Sequence, residues 1–221
     1  MKDSYWIEKW EKGDTAFHQS SAHPRLVRFA DRLPQGKVFV PLCGKSLDML
    51  YLSRAGHGVV GAELSPIACE AFFVENGIAF SLDRRGEHEV FVGGGISIWC
   101  GDFFRMPKDA LADVASVYDR AALIAFSPDL RRRYARYLVD VLPLGKSPNF
   151  AMLLIAIAYP TEGAEGPPFS VPESEVRALY SDTFAVECLD RGIDEAYRKH
   201  PKFPDRAVEE SAYRLTLSPL A

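Results

Sequence analysis

The chain predicts an α/β fold: a mostly parallel twisted sheet with helices on both faces and an antiparallel strand at its C-terminal end. Helix-like and strand-like segments alternate from Pro24 onward, the pattern of a doubly covered sheet. Residues 38–40 and 150–158 are continuous apolar runs, as strands buried on both faces require, and residues 114–118 read as another buried strand. Residues 184–189 and 212–217 close the chain as two further strands, a hairpin-like finish. With 221 residues and 48% hydrophobic composition, the chain can bury a large core as one domain spanning 1–221.

Residues 1–22 are charged and aromatic and precede the first strand, so they are free to fold over a site as a lid. Pro24 opens a helix that runs to residue 33. After the strand at 38–40, Gly44 forms a turn and Ser46 caps a helix. Its Leu47, Leu50, Tyr51 and Leu52 share one side and Gly56 ends it. Residues 58–62 run as a strand into Glu63. Ser65 and Pro66 start a helix carrying Ala68, Ala71, Phe72 and Phe73 that stops at Asn76-Gly77. A third strand is expected over 78–82. Residues 89–92 and 96–100 flank Gly93-Gly94-Gly95 as a hairpin. The strand over 114–118 ends at Asp119-Arg120. Ser127 and Pro128 then begin a helix with Leu130, Tyr134, Tyr137, Leu138 and Val141 on an apolar stripe, and residues 172–180 form the last helix. Arg131, Arg132 and Arg133 read as the solvated face of the longer helix rather than as a nucleic-acid surface.

The most specific stretch is VFVPLCGKSLDMLYLSRAGHGVVGAELS, which spells strand, glycine turn, helix, second strand and terminal acid. An acid about twenty residues after a glycine turn is where such a sheet places the group that accepts hydrogen bonds from ribose hydroxyls. Gly44-Lys45-Ser46 imitates the end of a phosphate-binding P-loop, but Phe39 stands where that motif needs its first glycine. A dinucleotide site needs spaced glycines for the pyrophosphate, and Pro41, Leu42 and Cys43 stand in their place. A ligand with a ribose and no phosphates remains, of which S-adenosylmethionine is the common one. An ordinary strand-turn-helix with a surface acid is the plainer alternative.

A formal net charge of −4 and a pI near 5.8 supply no global attraction to nucleic acid or anionic membrane. No segment reads as a membrane span, and the N-terminus lacks the apolar core of a secretory signal, so a soluble cytoplasmic protein is expected. Cys43, Cys69, Cys100 and Cys188 form no CxxC pair, and neither they nor the histidines show metal spacing. Cys43, beside the glycine turn, lacks a paired base in the sequence and reads as a small buried thiol.

Taken together, Trp6, Trp10 and the strings GDTAFHQ, VFVPLCGKSLDM, GHGVVGAELS, GDFF, VYDRAALIAF and GPPFSV resemble the thiopurine S-methyltransferase family over nearly the whole chain. The resemblance implies a Rossmann-like class I methyltransferase fold with S-adenosyl-L-methionine as cofactor and no metal. It also implies direct in-line methyl transfer to the sulfur of thiopurines or other aromatic or heterocyclic thiols. Selenium and tellurium compounds are the variant acceptors. Its partner is then a small-molecule thiol or chalcogen acceptor, and a monomer is expected. A nicotinamide-dependent oxidoreductase and a non-catalytic cofactor-binding protein are the alternatives from other classes. Matching the strings implies Trp10, Leu42, Gly44, Glu63, Asp102, Phe103 and Arg120 as cofactor residues.

Each of these has a plainer reading beside it. Asp102 accepts from the adenine amino group while Phe103 packs on the ring, or they are a capping acid and a core aromatic. Trp10 covers the methionine end of the cofactor, or packs with Trp6 as core. Asp119 and Arg120, at a strand's carboxyl end, are the catalytic candidates. Arg120 holds the cofactor carboxylate or an anionic substrate, or pairs with Asp119 at the surface; Asp119 takes any residual proton. The expected substrate contacts are Phe17, the Pro167-Pro168-Phe169 loop with Phe169, Phe203, and Arg198 facing an anionic acceptor. The segment 191–206 and the TEGAEG loop match the family only loosely.

Overall fold

The structure, a computed structural model, describes residues 3–15, 18–162, 166–193, 203 and 207–218. Among these residues the strands are β1 (Lys37–Val40), β2 (Gly58–Glu63), β3 (Ser81–Arg85), β4 (His88–Gly93), β5 (Ile96–Cys100), β6 (Val114–Arg120), β7 (Ala151–Ala158), β8 (Phe184–Ile193) and β9 (Glu209–Leu217). The helices are α1 (Asp3–Glu11), α2 (Pro24–Phe29), α3 (Asp48–Arg54), α4 (Pro66–Glu75), α5 (Pro128–Val141) and α6 (Glu173–Tyr180). All the strands join one sheet in the order β3-β4-β5-β2-β1-β6-β7-β9-β8. Its centre, β5-β2-β1-β6-β7, is parallel throughout. Antiparallel strands close both sides, β3 and β4 on one and β9 and β8 on the other.

The parallel centre follows from composition. The seven residues of β7 from Ala151 to Ile157 are buried on both faces. Burying a large aliphatic side chain of this kind contributes about 1.5–3 kcal/mol. One face packs Val38, Val40 and Val59 under Leu26, Phe29, Met49, Leu52, Phe72 and Phe73 of α2, α3 and α4. The other packs Phe39, Val60 and Val117 under Tyr134, Leu138, Val176 and Tyr180 of α5 and α6. Helices therefore cover both sides of the sheet.

Several local expectations shift. The helix from Pro24 ends at Phe29 and continues as a 3-10 turn over Ala30–Arg32. The expected strand over 78–82 begins only at Ser81, because Ile78 is held in the turn after α4 by its N–H to Phe73 O, and it runs on to Arg85 along an exposed edge. The glycine triplet makes the β4–β5 hairpin, with Gly94 and Gly95 at positive φ. In α3 the buried residues are Asp48, Met49 and Leu52, while Leu50, Tyr51 and the preceding Leu47 are half-buried. Arg131 is a correction: it lies on the inner stripe of α5 with no exposed surface. Its guanidinium donates to Glu175 Oε1 at 2.6 Å and Phe126 O at 3.0 Å.

Candidate active site

All the parallel strands end at one edge of the sheet, where open α/β folds bind ligands. Across that edge lie Asp102 after β5, Glu63 at the end of β2, Leu42 and Gly44 after β1, Arg120 at the end of β6, and Phe169 beyond β7.

The turn after β1 is strained. Leu42 has φ +48° and Gly44 φ +52°, and Cys43 N donates to Ala62 O at 2.9 Å, pinning the turn to β2. A second non-glycine residue, Ala121 with φ +65°, follows β6. Non-glycine residues at positive φ cost about 1–3 kcal/mol and concentrate at functional sites. The indole of Trp10, from α1, lies over the turn: a Cβ on Gly44 would stand 3.1 Å from Trp10 Cζ2. Only glycine combines that backbone angle with so close an aromatic neighbour.

Glu63 closes the turn. Its Oε2 accepts Gly44 N–H and its Oε1 accepts Ser65 N–H, each at 2.8 Å. Burial raises its carboxyl above the ordinary value, against the backbone donors of Ser65, Gly44 and Leu64. A carboxylate has roughly four acceptor sites, more than the two amides at 2.8 Å occupy.

Asp119 and Arg120, adjacent in sequence, face opposite sides of the sheet. Asp119 has no exposed surface; its Oδ2 accepts Tyr134 OH at 2.7 Å and its Oδ1 accepts Leu123 N–H at 3.1 Å. Burial pushes its carboxyl up to about 6. Arg120 turns the other way, its Nε donating to Asp48 Oδ2 at 2.7 Å and its Nη2 to Ser46 Oγ at 3.1 Å. Asp48 also accepts Tyr118 OH at 3.1 Å and, through Oδ1, His23 N–H at 2.7 Å. The sequence reading did not single out Asp48 as a site residue. Its signal was an acid four positions before Leu52 on the inner side of a helix that opens beside the glycine turn.

Asp102 caps the 3-10 turn Phe103–Arg105, accepting Phe104 N–H at 2.9 Å, and its carbonyl lies 3.2 Å from His88 Nε2. Phe103 is buried, with ring centroids of Tyr134 at 5.2 Å and Tyr137 at 5.1 Å. Phe169 is half-buried, its N–H donating to Ile124 O at 2.7 Å. Tyr159, at the end of β7, donates its hydroxyl to Pro168 O at 2.7 Å and packs its ring 4.8 Å from that of Phe203. Cys43 is buried, and burial raises its thiol well above the ordinary value. Phe17 and Arg198 lie outside the described residues. Among the described residues, no helix is long and apolar enough to cross a membrane.

The sequence profile of the thiopurine S-methyltransferase family matches residues 1–218. The chain is 39% identical over 221 residues to a thiopurine S-methyltransferase of Shewanella sp. strain W3-18-1, covering 97% of this chain and 99% of the relative. It is 40% identical over 213 residues to the thiopurine S-methyltransferase of Bordetella petrii, covering 95% and 94% of the two chains. Among solved structures it resembles the Burkholderia thailandensis 1,6-didemethyltoxoflavin-N1-methyltransferase, solved with 1,6-didemethyltoxoflavin and S-adenosylhomocysteine bound. The TM-score is 0.63 at 15% identity, over 98% of this chain and 87% of that one. A TehB-like methyltransferase of Corynebacterium glutamicum matches with TM-score 0.56 at 14% identity, over 98% of each chain. The full-length profile match and these identities place the chain in the thiopurine S-methyltransferase family, among the S-adenosylmethionine-dependent methyltransferases.

Proposed function

We propose that this chain methylates the sulfur of a thiopurine or another aromatic or heterocyclic thiol by in-line displacement. The observation that carries the cofactor side of this reading is the closure of Glu63 on Gly44 at the carboxyl edge, with Arg120 across the same edge. The residues fit S-adenosylmethionine: a carboxylate with acceptor capacity for ribose hydroxyls, a guanidinium for the amino-acid carboxylate, and an indole packed over the glycine turn, whose π face suits a sulfonium. When bound, that cofactor supplies an electrophilic methyl group on a sulfonium, to be taken by an ionised thiol.

This chain's own contribution is positioning. Trp10 over Gly44 excludes water from the turn, and Glu63 orients the ribose. Holding two reactants aligned near contact can supply about 7 kcal/mol or more of a barrier. The acceptor wall in this reading is apolar, from Phe169, the Pro168-Tyr159 contact and the ring of Phe203 against Tyr159. In this reading Asp102 accepts from the adenine amino group and Phe103 packs beside the ring. An aromatic thiol ionised near neutral pH needs no strong base, and Asp119, on the opposite side of the sheet from Arg120 with its oxygens on Tyr134 and Leu123, fixes the end of β6 in this reading and is not needed for the residual proton expected of it from the sequence.

The test is a methyl-acceptor panel with S-adenosylmethionine: 6-mercaptopurine, thiophenol, selenite and, as the oxygen control, a catechol. Methylation of the thiols supports the proposal. Transfer to selenite alone moves the function to chalcogen detoxification, and transfer to the catechol alone overturns the substrate class.

A further inference from the structure

Arg120 is held on one buried acid, Asp48, with Ser46 beside it. Asp48 is 1% exposed and its Oδ2 lies 2.7 Å from Arg120 Nε, with Tyr118 OH at 3.1 Å on the same oxygen. Tyr118 is fully buried and its hydroxyl is pushed well above the ordinary range, first by burial and then by the Asp48 charge, so it stays a donor. The other Asp48 oxygen takes His23 N–H at 2.7 Å, at the junction between the N-terminal segment and α2. Ser46 Oγ accepts Arg120 Nη2 at 3.1 Å and Asp48 N–H at 3.2 Å, which closes a ring of contacts around the guanidinium.

A guanidinium is planar and carries its donors in a fixed fork, so restraint of Nε and one Nη fixes the whole plane. Long arginine side chains otherwise lose rotamer entropy on binding an anion. A buried acid paired at Nε removes that cost in advance.

We propose that Asp48 is a positioning residue of this enzyme: it pre-orients Arg120 for a ligand carboxylate and ties that orientation to the root of the N-terminal segment through His23. The inference rests on the cofactor reading above, in which Arg120 meets the amino-acid carboxylate of S-adenosylmethionine. A residue that merely stabilised the fold would weaken all ligands alike, whereas a residue acting through Arg120 affects only those with a carboxylate.

Asp48→Asn keeps the size of the side chain and an oxygen for His23 N–H, and it replaces the acceptor facing Arg120 by an amide. Binding is measured by calorimetry with S-adenosylhomocysteine and with 5′-methylthioadenosine, which has the same adenosine and no carboxylate. The expected result is a loss of about tenfold or more for S-adenosylhomocysteine with 5′-methylthioadenosine unchanged. In an Arg120→Met background the same substitution should then have no further effect. Ser46→Ala, at a half-buried position, provides a second variant with the same expected signature should Asp48→Asn not fold. Equal weakening of both ligands, or a loss that persists without Arg120, overturns the proposal. Failure of the unaltered chain to bind S-adenosylhomocysteine overturns the cofactor reading together with it.

Discussion

The carboxylate of Glu63 accepts the Gly44 N–H at 2.8 Å, so the acid that ends β2 and the turn that leaves β1 form one unit. Removing the acid removes the brace of the turn and, in the proposed reading, the acceptor of the ribose hydroxyls. Glu63→Ala is expected to weaken S-adenosylhomocysteine binding by roughly 2–5 kcal/mol, the range for two charge-assisted hydrogen bonds. Because burial raises this carboxyl and only its ionised form accepts from two hydroxyls, affinity should fall as the pH drops through its elevated value. Calorimetric titration of a folded Glu63→Ala protein decides this, and unchanged affinity would remove Glu63 from the site.

Gly44 and Trp10 make a second coupled pair. A methyl group at Gly44 meets both a positive φ of +52° and the indole at 3.1 Å. Gly44→Ala is expected to cost about 1 kcal/mol or more from the backbone alone and to displace the indole. The displacement part should vanish in a Trp10→Ala background, giving a non-additive cycle in thermal unfolding. Deleting residues 1–18 should cut turnover sharply, since the indole that covers the turn is lost with them. Full turnover by the truncated chain would end the lid idea.

The parallel centre, the hairpin and the Glu63 turn were legible because short-range patterns specify them: continuous apolar strands, paired glycines, and an acid at fixed spacing. Arg131 and Asp48 were not, although each sits at helical spacing with buried neighbours. Arg131 lies three residues before Tyr134 and seven before Leu138, so its place on the inner stripe was set by period alone. Charge outweighed period in that reading. What overrode the usual exclusion of charge from a core was a partner far along the chain, Glu175 for Arg131 and Arg120 for Asp48. Such pairings depend on tertiary placement and leave no local trace. The opposite facing of Asp119 and Arg120 follows from strand alternation, once the strand is known to extend through both residues.

Cys43 stands beside the turn, yet its buried thiol is held in the neutral form and its sulfur fills the space next to Gly61, 2.7 Å from where a Cβ would sit. It is a packing group. Cys43→Ser should retain turnover while losing about 1–3 kcal/mol of stability from a buried hydroxyl. Turnover should also survive EDTA. Loss of activity in a folded Cys43→Ser protein, or restoration by added divalent metal after chelation, would reassign the chemistry.

Asp119 gives the fold a pH dependence of defined sign. Its carboxyl titrates at about 6 in place of 3.8 because burial penalises the charge more than Tyr134, Leu123 and Ala122 relieve it. The folded chain therefore holds this proton more tightly than the unfolded chain does. The stability this group contributes is fully present below the unfolded value and is lost as the pH rises through about 6. Above that point the ionised form costs the fold about 3 kcal/mol relative to the protonated one. Asp119→Asn has no carboxyl proton to take up, so the wild-type chain should gain stability relative to it as the pH is lowered from about 8 to about 5. Tyr134→Phe removes a donor that favours the charged form and should move the transition upward. Denaturant unfolding of the three proteins across this range tests the assignment, and a wild-type curve parallel to that of Asp119→Asn would show that Asp119 does not titrate there.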